Sequence, residues 1–149
     1  MRLAVISDVH GNLVALEAAL ADLDALGEVD MTWVLGDLAA FGSRPAECVR
    51  RLRDLAEERG KEHFRIIGGN TDRYLVTGER FVLPPAADED AFAKLPGMRR
   101  TTDAVLNWNL EQLTWDDYQF LAKILGKEVQ QHVPGYGTVI GYHAIPGDD

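Results

Sequence analysis

This chain has little of what secreted, membrane-spanning and disulfide-stabilised proteins usually contain. Its 149 residues include one cysteine, Cys48, so no disulfide can form within the chain, and a reducing cytoplasm suits this cysteine usage. No uninterrupted run of about 20 apolar residues could span a membrane. The first residues also lack the basic segment, apolar run and small-residue cleavage site of a signal peptide. We therefore expect a cytoplasmic protein that has no membrane partner.

Basic residues are scarce as well. The chain has 15 Lys and Arg residues against 24 Asp and Glu residues, which gives a formal net charge of -9. Its densest basic cluster, Arg50-Arg51-Leu52-Arg53, stands beside Asp54 and is typical of a solvated helix surface. Because proteins that hold nucleic acid along its backbone usually have a basic face, nucleic acid is not expected as a stable partner. An acidic protein can nevertheless bind phosphate where metal ions invert the local charge.

Strand and helix patterns alternate through the first half of the chain. Strands are predicted at 3–6, 31–35 and 64–67, and helices at 12–26 and 45–59. This β-α-β-α-β order is typical of a parallel sheet covered by helices. The second half is predicted to contain helices at about 102–110 and 114–125, the latter capped by Thr114 and Asp117, and a β-hairpin of 128–133 and 138–143. The length suits one domain, 1–149, and is too short for two ordinary ones.

Polar side chains that can bind a divalent metal follow three of these strands. Asp8 and His10 follow the first, Asp37 follows the second, and Asn70 and Asp72 follow the third. If the first strand continues through Asp8-Val9-His10, the two polar side chains project from the same side, because side chains alternate in a strand. Sites in open α/β sheets form at the carboxyl ends of strands. We therefore expect a metal centre for phosphate ester hydrolysis.

A nucleotide-binding Rossmann domain is a rival interpretation that the first turn excludes. The residues after the first strand, 8–12, do not have the Gly-x-Gly-x-x-Gly pattern that cradles a dinucleotide phosphate. Four motifs in chain order instead resemble the calcineurin-like metallophosphoesterase superfamily. They are Asp8-x-His10, Gly36-Asp37, Gly69-Asn70-x-Asp72 and a later His143.

Longer segments are similar to the small prokaryotic phosphodiesterase-like branch of that superfamily, namely 7–13, 36–45 and Tyr142-His143-Ala144-Ile145-Pro146. The resemblance implies an α/β fold, a two-sheet β-sandwich flanked by helices in four α/β/β/α layers. It also implies a site with two divalent metal ions at one edge of the sheets. Manganese is the metal that the resemblance favours, with iron, nickel, cobalt or zinc as alternatives because their ligand sets overlap.

The resemblance implies a role for each candidate residue. Asp8 and His10 would bind the first metal, Asp37 would bridge both metals, and Asn70 and His143 would bind the second. The implied reaction is hydrolysis of a small phosphodiester or phosphomonoester substrate by attack of a metal-bridging hydroxide. The oligomeric state is not predicted.

Three further residues are candidates for supporting roles beside Asn70, which is assigned to catalysis as well as to metal binding. Asp72 is a candidate catalytic residue that orients a neighbouring ligand, with a simple turn cap as the alternative. Asn12 and Arg73 are candidates for binding the substrate phosphate. The alternatives are that Asn12 only begins a helix and that Arg73 is a surface residue.

The sequence departs from the superfamily pattern in two ways. The final Gly-His-x-His element is absent, so we expect a C-terminally incomplete domain in which each metal lacks one imidazole. Thr71 stands where many members of the superfamily have a histidine that can protonate the leaving group. The alternative to an enzyme is therefore a non-enzymatic interaction module that keeps the fold with an incomplete metal site.

Overall fold

The computed structural model of this protein describes residues 1–144, so Ile145 and Pro146 of the last motif lie outside the described residues. The elements in chain order are β1 (Leu3–Ile6), α1 (Leu13–Ala25), β2 (Met31–Leu35), α2 (Pro45–Arg59), β3 (Phe64–Ile67), α3 (Asn70–Thr77), α4 (Glu89–Gln112), α5 (Trp115–Ile124), β4 (Val129–Val133) and β5 (Gly137–Gly141).

The central sheet is parallel and has the order β1-β2-β3. Its middle strand, β2, is buried on both faces from Met31 to Val34, which is why the strand is a continuous apolar run in the sequence. One face, with Val34, joins the main core below α2. The opposite face, with Met31 and Trp33, joins a second core cluster that includes Val129 of β4. The carboxyl ends of all three strands meet at one edge.

A second sheet, the antiparallel hairpin β4–β5, lies on the Trp33 face of the first. Gly141 makes this close approach practicable, because a Cβ on it would come 2.9 Å from Trp33 Cε3. The hairpin therefore delivers the next residues, including His143, to the end of β2. Two sheets with helices on the outer face of the parallel one confirm the expected α/β fold class.

Most of the predicted helix limits are confirmed. Pro45 occupies the first turn of α2, where its missing N–H is harmless, and Gly60 follows the last residue. Thr114 accepts a hydrogen bond from the Asp117 N–H at the start of α5, as the sequence predicted. Cys48 of α2 is fully buried, and this burial raises the pKa of its thiol to about 12. That environment is typical of a structural thiol.

One helix prediction was wrong, and one helix was missed. α4 begins at Glu89 and not near Thr102, because the Asp88 carboxylate accepts a hydrogen bond from Ala91 N and acidic residues favour a helix start. Pro96 lies inside this helix. α3 was not predicted and begins at Asn70 directly after β3. Among residues 1–144, no helix combines the length and the apolar character that crossing a bilayer requires.

One buried carboxylate joins α5 to α2. The fully buried Asp117 accepts hydrogen bonds from Arg50, at 2.7 Å to Nη2, and from the Thr114 hydroxyl. Arg53 adds an ion pair at 3.4 Å. Two of the arginines that the sequence assigned to a solvated surface therefore hold helices together. Burial works to raise the pKa of Asp117, but the hydrogen bonds from Arg50 and Thr114 outweigh it and hold this pKa below its usual range.

We expect Asp117→Asn to lower the free energy of unfolding at pH 7 by about 2 kcal/mol or more, because Arg50 loses its buried partner. A lowered pKa means that the carboxylate stabilises the fold above the unfolded-state pKa of about 3.9. This contribution disappears as pH falls through the lower folded-state pKa. Urea unfolding from pH 7 to about pH 3 should therefore show the variant converging on the unchanged chain. Asp116→Asn, on the adjacent exposed acid, is the control, and a pH-independent difference for Asp117→Asn would contradict the assignment.

Candidate metal centre

The loops that follow β1 and β2 run side by side at the sheet edge. Asp8 N donates to Gly36 O at 3.1 Å, and His10 N donates to Asp37 O at 2.8 Å. Asp8 and His10 both have a positive φ, 58° and 48°. The expectation that they share one side of an extended strand was therefore wrong. The chain curls after Ile6 to pair with the neighbouring loop, and this turn brings both side chains towards Asp37.

Asp37 lies between two groups of polar side chains. Its Oδ2 is 3.5 Å from His10 Nε2, and its Oδ1 is 3.5 Å from His143 Nε2. Asp8 Oδ1 is 3.7 Å from the same His10 nitrogen. One donor atom each from Asp8, Asp37 and His143 lies within 4.8 Å of the others. The two oxygens of one buried carboxylate thus face two different imidazoles.

These spacings fit divalent cations. Two ligands of one cation, each bound at about 2.1 Å, are roughly 3.0–3.4 Å apart at ordinary coordination angles. The nitrogen–oxygen distances of 3.5 Å at Asp37 are close to that range and longer than good hydrogen bonds. Carboxylate, imidazole and amide oxygen are also the donor types expected for manganese, iron or zinc.

His143 has both ring nitrogens engaged. Nδ1 lies 2.5 Å from the carbonyl oxygen of Leu35, the last residue of β2, and Nε2 lies 2.9 Å from Asn70 Oδ1. A carbonyl only accepts, so Nδ1 carries the proton and donates to Leu35. Nε2 faces two oxygens, Asn70 Oδ1 at 2.9 Å and Asp37 Oδ1 at 3.5 Å.

A second buried carboxylate, that of Asp72, binds the backbone of two loops of the site. Asp72 has no exposed surface and accepts hydrogen bonds from the backbone N–H groups of Leu38, Ala39 and Gly69 at 3.0–3.1 Å. Burial raises its pKa to about 6, although these three donors work in the opposite direction. Asp72 therefore ties the loop that carries Asp37 to the start of α3, in addition to capping that helix.

Two glycines allow the loops to come this close. A Cβ on Gly36 would meet Gly69 N at 2.5 Å and His143 Nδ1 at 2.8 Å. A Cβ on Gly69 would come 2.6 Å from Asp37 N and 2.8 Å from His143 Cε1, and would overlap Asp37 Oδ1. The Thr71 N–H, two residues further on, donates to that same oxygen at 2.9 Å.

The candidate substrate-binding residues have partners of their own. The Asn12 side chain accepts a hydrogen bond from Ala15 N at 3.1 Å and so caps α1. Arg73 forms an ion pair with Glu79 at 3.4 Å. Their substrate roles stay predictions.

The sequence reasoning missed two groups at this site. The Ser7 hydroxyl donates to Asp8 Oδ2 at 2.6 Å, which leaves Asp8 Oδ1 facing His10. Its position directly before Asp8 was the available signal. The Leu35 carbonyl, which orients His143, gives no signal in the sequence because it belongs to the backbone.

The sequence profile of the calcineurin-like phosphoesterases matches residues 1–144. The chain belongs to the calcineurin-like phosphoesterase family. A curated relative, the symmetrical bis(5'-nucleosyl)-tetraphosphatase of Pectobacterium atrosepticum, is 36% identical over 72 residues, which are 48% of this chain and 24% of the relative. This chain therefore aligns with only about a quarter of that enzyme's length.

Two solved structures extend this likeness to the fold of the phosphoesterase family. A metallophosphoesterase from Sphaerobacter thermophilus has 34% identity and a TM-score of 0.56, over 87% of this chain and 43% of its own. A hypothetical protein from Pyrococcus horikoshii has 23% identity and a TM-score of 0.68, over 93% of this chain and 52% of its own, and this second likeness supports the fold alone.

The contacts of Gly69 in this phosphoesterase chain lead to a stability prediction. Gly69→Ala should lower the free energy of unfolding by about 1–3 kcal/mol, because the added Cβ forces Asp37 and His143 away. Gly97→Ala is the matched control, since Gly97 is in α4 with nothing within 4 Å of a Cβ. The control should gain about 0.5–1 kcal/mol. Urea denaturation of both variants measures this, and equal stability of the two would contradict the packing described.

Proposed function

We propose that this chain binds two divalent metal ions at the edge of its parallel sheet and hydrolyses small phosphate esters. One ion would be held by Asp8, His10 and Asp37, and the other by Asp37, Asn70 and His143. The observation that carries the proposal is the convergence of His143 Nε2 on Asn70 Oδ1, at 2.9 Å, and on Asp37 Oδ1, at 3.5 Å.

In a neutral His143 ring with its proton on Nδ1, Nε2 is an acceptor that faces two further acceptors, Asn70 Oδ1 and Asp37 Oδ1. Because Nδ1 of His143 is committed to the Leu35 carbonyl, a proton is not expected on Nε2 of the neutral ring. A cation would accept the lone pairs of both His143 Nε2 and Asn70 Oδ1. A metal-binding histidine usually donates its other ring N–H to a carbonyl or carboxylate, as Nδ1 does here to Leu35. The same cation would also bind Asn70 Oδ1, a neutral oxygen that adds no negative charge to the ligand set.

Asp37 is suited to share its carboxylate between two ions. Its two oxygens face His10 on one side and His143 on the other, and the Thr71 N–H fixes one of them. Two cations would supply hydroxide near neutral pH and offset the charge of the phosphate, chemistry that acidic residues cannot supply alone. Manganese is the proposed metal, with iron, nickel, cobalt or zinc as alternatives.

The remaining candidate residues would either hold the metal ligands in place or contact the substrate. Asp72 holds the Asp37 loop through three backbone N–H groups, so we propose it as a positioning residue. Ser7 holds one oxygen of Asp8 in the same way. Asn12 and Arg73 stay the proposed contacts for the substrate phosphate, which would require Arg73 to exchange its present partner Glu79.

The proposed substrates are phosphodiesters or phosphomonoesters of small molecules. The curated relative is named as a bis(5'-nucleosyl)-tetraphosphatase, and this name supports a small phosphate ester as the substrate class. We propose a cytoplasmic location.

Metal binding should stabilise the chain, because the acidic groups that converge at Asp37 repel each other without a cation. Manganese at a hundredfold excess over its Kd would add about 2.7 kcal/mol to the free energy of unfolding. For a chain of this size, that raises the Tm by roughly 5–10 °C. Chelator-treated protein should show this shift, and also manganese-dependent hydrolysis of bis-p-nitrophenyl phosphate. Asp37→Asn should lose most of the shift and all of the hydrolysis.

The control is Asp22→Asn, which removes an exposed carboxylate near the C-terminal end of α1. It should retain both the shift and the turnover. A manganese-dependent shift with no turnover would favour the non-enzymatic interaction module. Absence of both, or an Asp37→Asn variant that still responds like the unchanged chain, would contradict the metal centre.

A further inference from the structure

Phe41 is an apolar residue in a place where the backbone disfavours it. It has a φ of 64°, and the Gly42 N–H donates to Ala40 O at 2.8 Å, so Phe41 is the middle residue of a three-residue γ-turn. The form of this turn with positive φ is rare and strained. Glycine or asparagine would be easier to place here, and Phe41 is 49% exposed, so burial offsets the strain only in part.

The turn is fixed against the loop that carries the metal-ligand candidates. Gly11 N donates to Leu38 O at 3.0 Å, and Arg44 N donates to Gly11 O at 3.0 Å. A Cβ on Gly42 would overlap His10 O, so the two loops are in direct contact. The ring of Phe41 therefore has a defined position relative to His10, with ring centroids 5.4 Å apart and planes tilted by 51°.

We infer that Phe41 is a platform on which a planar aromatic part of the substrate stacks while the phosphate occupies the metal centre. This inference rests on the proposed function and narrows its substrate class to phosphate esters or anhydrides of nucleosides or aryl alcohols. A strained residue that is only half buried is a candidate for a functional role, and an exposed aromatic face beside a phosphate site is what a flat ring would contact.

Phe41 is the one aromatic residue of the loop between β2 and α2. Its neighbour Ala40 is buried, and Arg44 forms an ion pair with Glu47 at 3.7 Å. Stacking does not depend on hydrogen-bond patterns, so Phe41 would favour aromatic groups in general over saturated ones and would not select one base.

Two phosphonates that differ in the ring test this inference. Phenylphosphonate and cyclohexylphosphonate have rings of similar size, but only the first is planar and aromatic. Their binding to the manganese-loaded chain can be measured by calorimetry. The unchanged chain should bind phenylphosphonate about 5- to 100-fold more tightly than the cyclohexyl compound, the range seen for aromatic stacking. Phe41→Leu should remove this preference by weakening phenylphosphonate alone, and Phe41→Tyr should retain it.

Two further variants separate recognition from folding. Phe92→Leu removes an exposed phenylalanine of α4 and should leave the preference unchanged. Phe41→Gly relieves the positive φ, so it should lose the preference while its Tm stays equal to or above that of the unchanged chain. If Phe41→Leu weakened both phosphonates equally, or Phe41→Gly lowered the Tm, the residue would be structural and the inference would fall. If neither phosphonate bound to the unchanged chain, the proposed function would fail first.

Discussion

The buried carboxylate of Asp72 holds the functional edge of this molecule in place. It accepts hydrogen bonds from the backbone at Leu38 and Ala39, in the loop after β2, and at Gly69, where β3 passes into α3. The loop after β1 is attached to the same structure through the hydrogen bond from His10 N to Asp37 O. One carboxylate that the solvent does not reach thus keeps three separate chain segments in register.

This arrangement allows the site to keep an unfavourable backbone. Asp8, His10 and Asp37 all have a positive φ, which costs about 1–3 kcal/mol for each residue that is not glycine. Isolated loops would relax, but here the strands end at fixed positions and the backbone N–H groups are already paired. The strain is therefore offset by the core and the buried hydrogen bonds, and it leaves carboxylates and imidazoles facing one another before any ligand arrives.

The parts of the fold that follow from local patterns were predictable. The limits of α2 at Pro45 and Arg59 follow from proline and glycine signals, and the parallel sheet follows from alternating strands and helices. The long helix α4 was not predictable in this way. Pro96 interrupts its helical pattern, although Asp88 caps the helix earlier in the chain.

The same limit applies to the site. Asp8, Asp37 and His143 were recognisable by residue type and position, and they do meet. The way they meet depends on left-handed turns and on a backbone carbonyl, that of Leu35, which have no marker in one sequence. A role for Phe41 was not predictable for a similar reason, because it depends on a positive φ and on the exposure of the ring.

The central claim is that the two oxygens of Asp37 serve two neighbouring cations. Low-temperature electron paramagnetic resonance of the manganese-loaded chain tests this most directly, because two Mn²⁺ ions that share a carboxylate are magnetically coupled. The account predicts two bound ions per chain at saturation and the broad, temperature-dependent spectrum of a coupled pair. A six-line spectrum of isolated Mn²⁺ at full loading would contradict it.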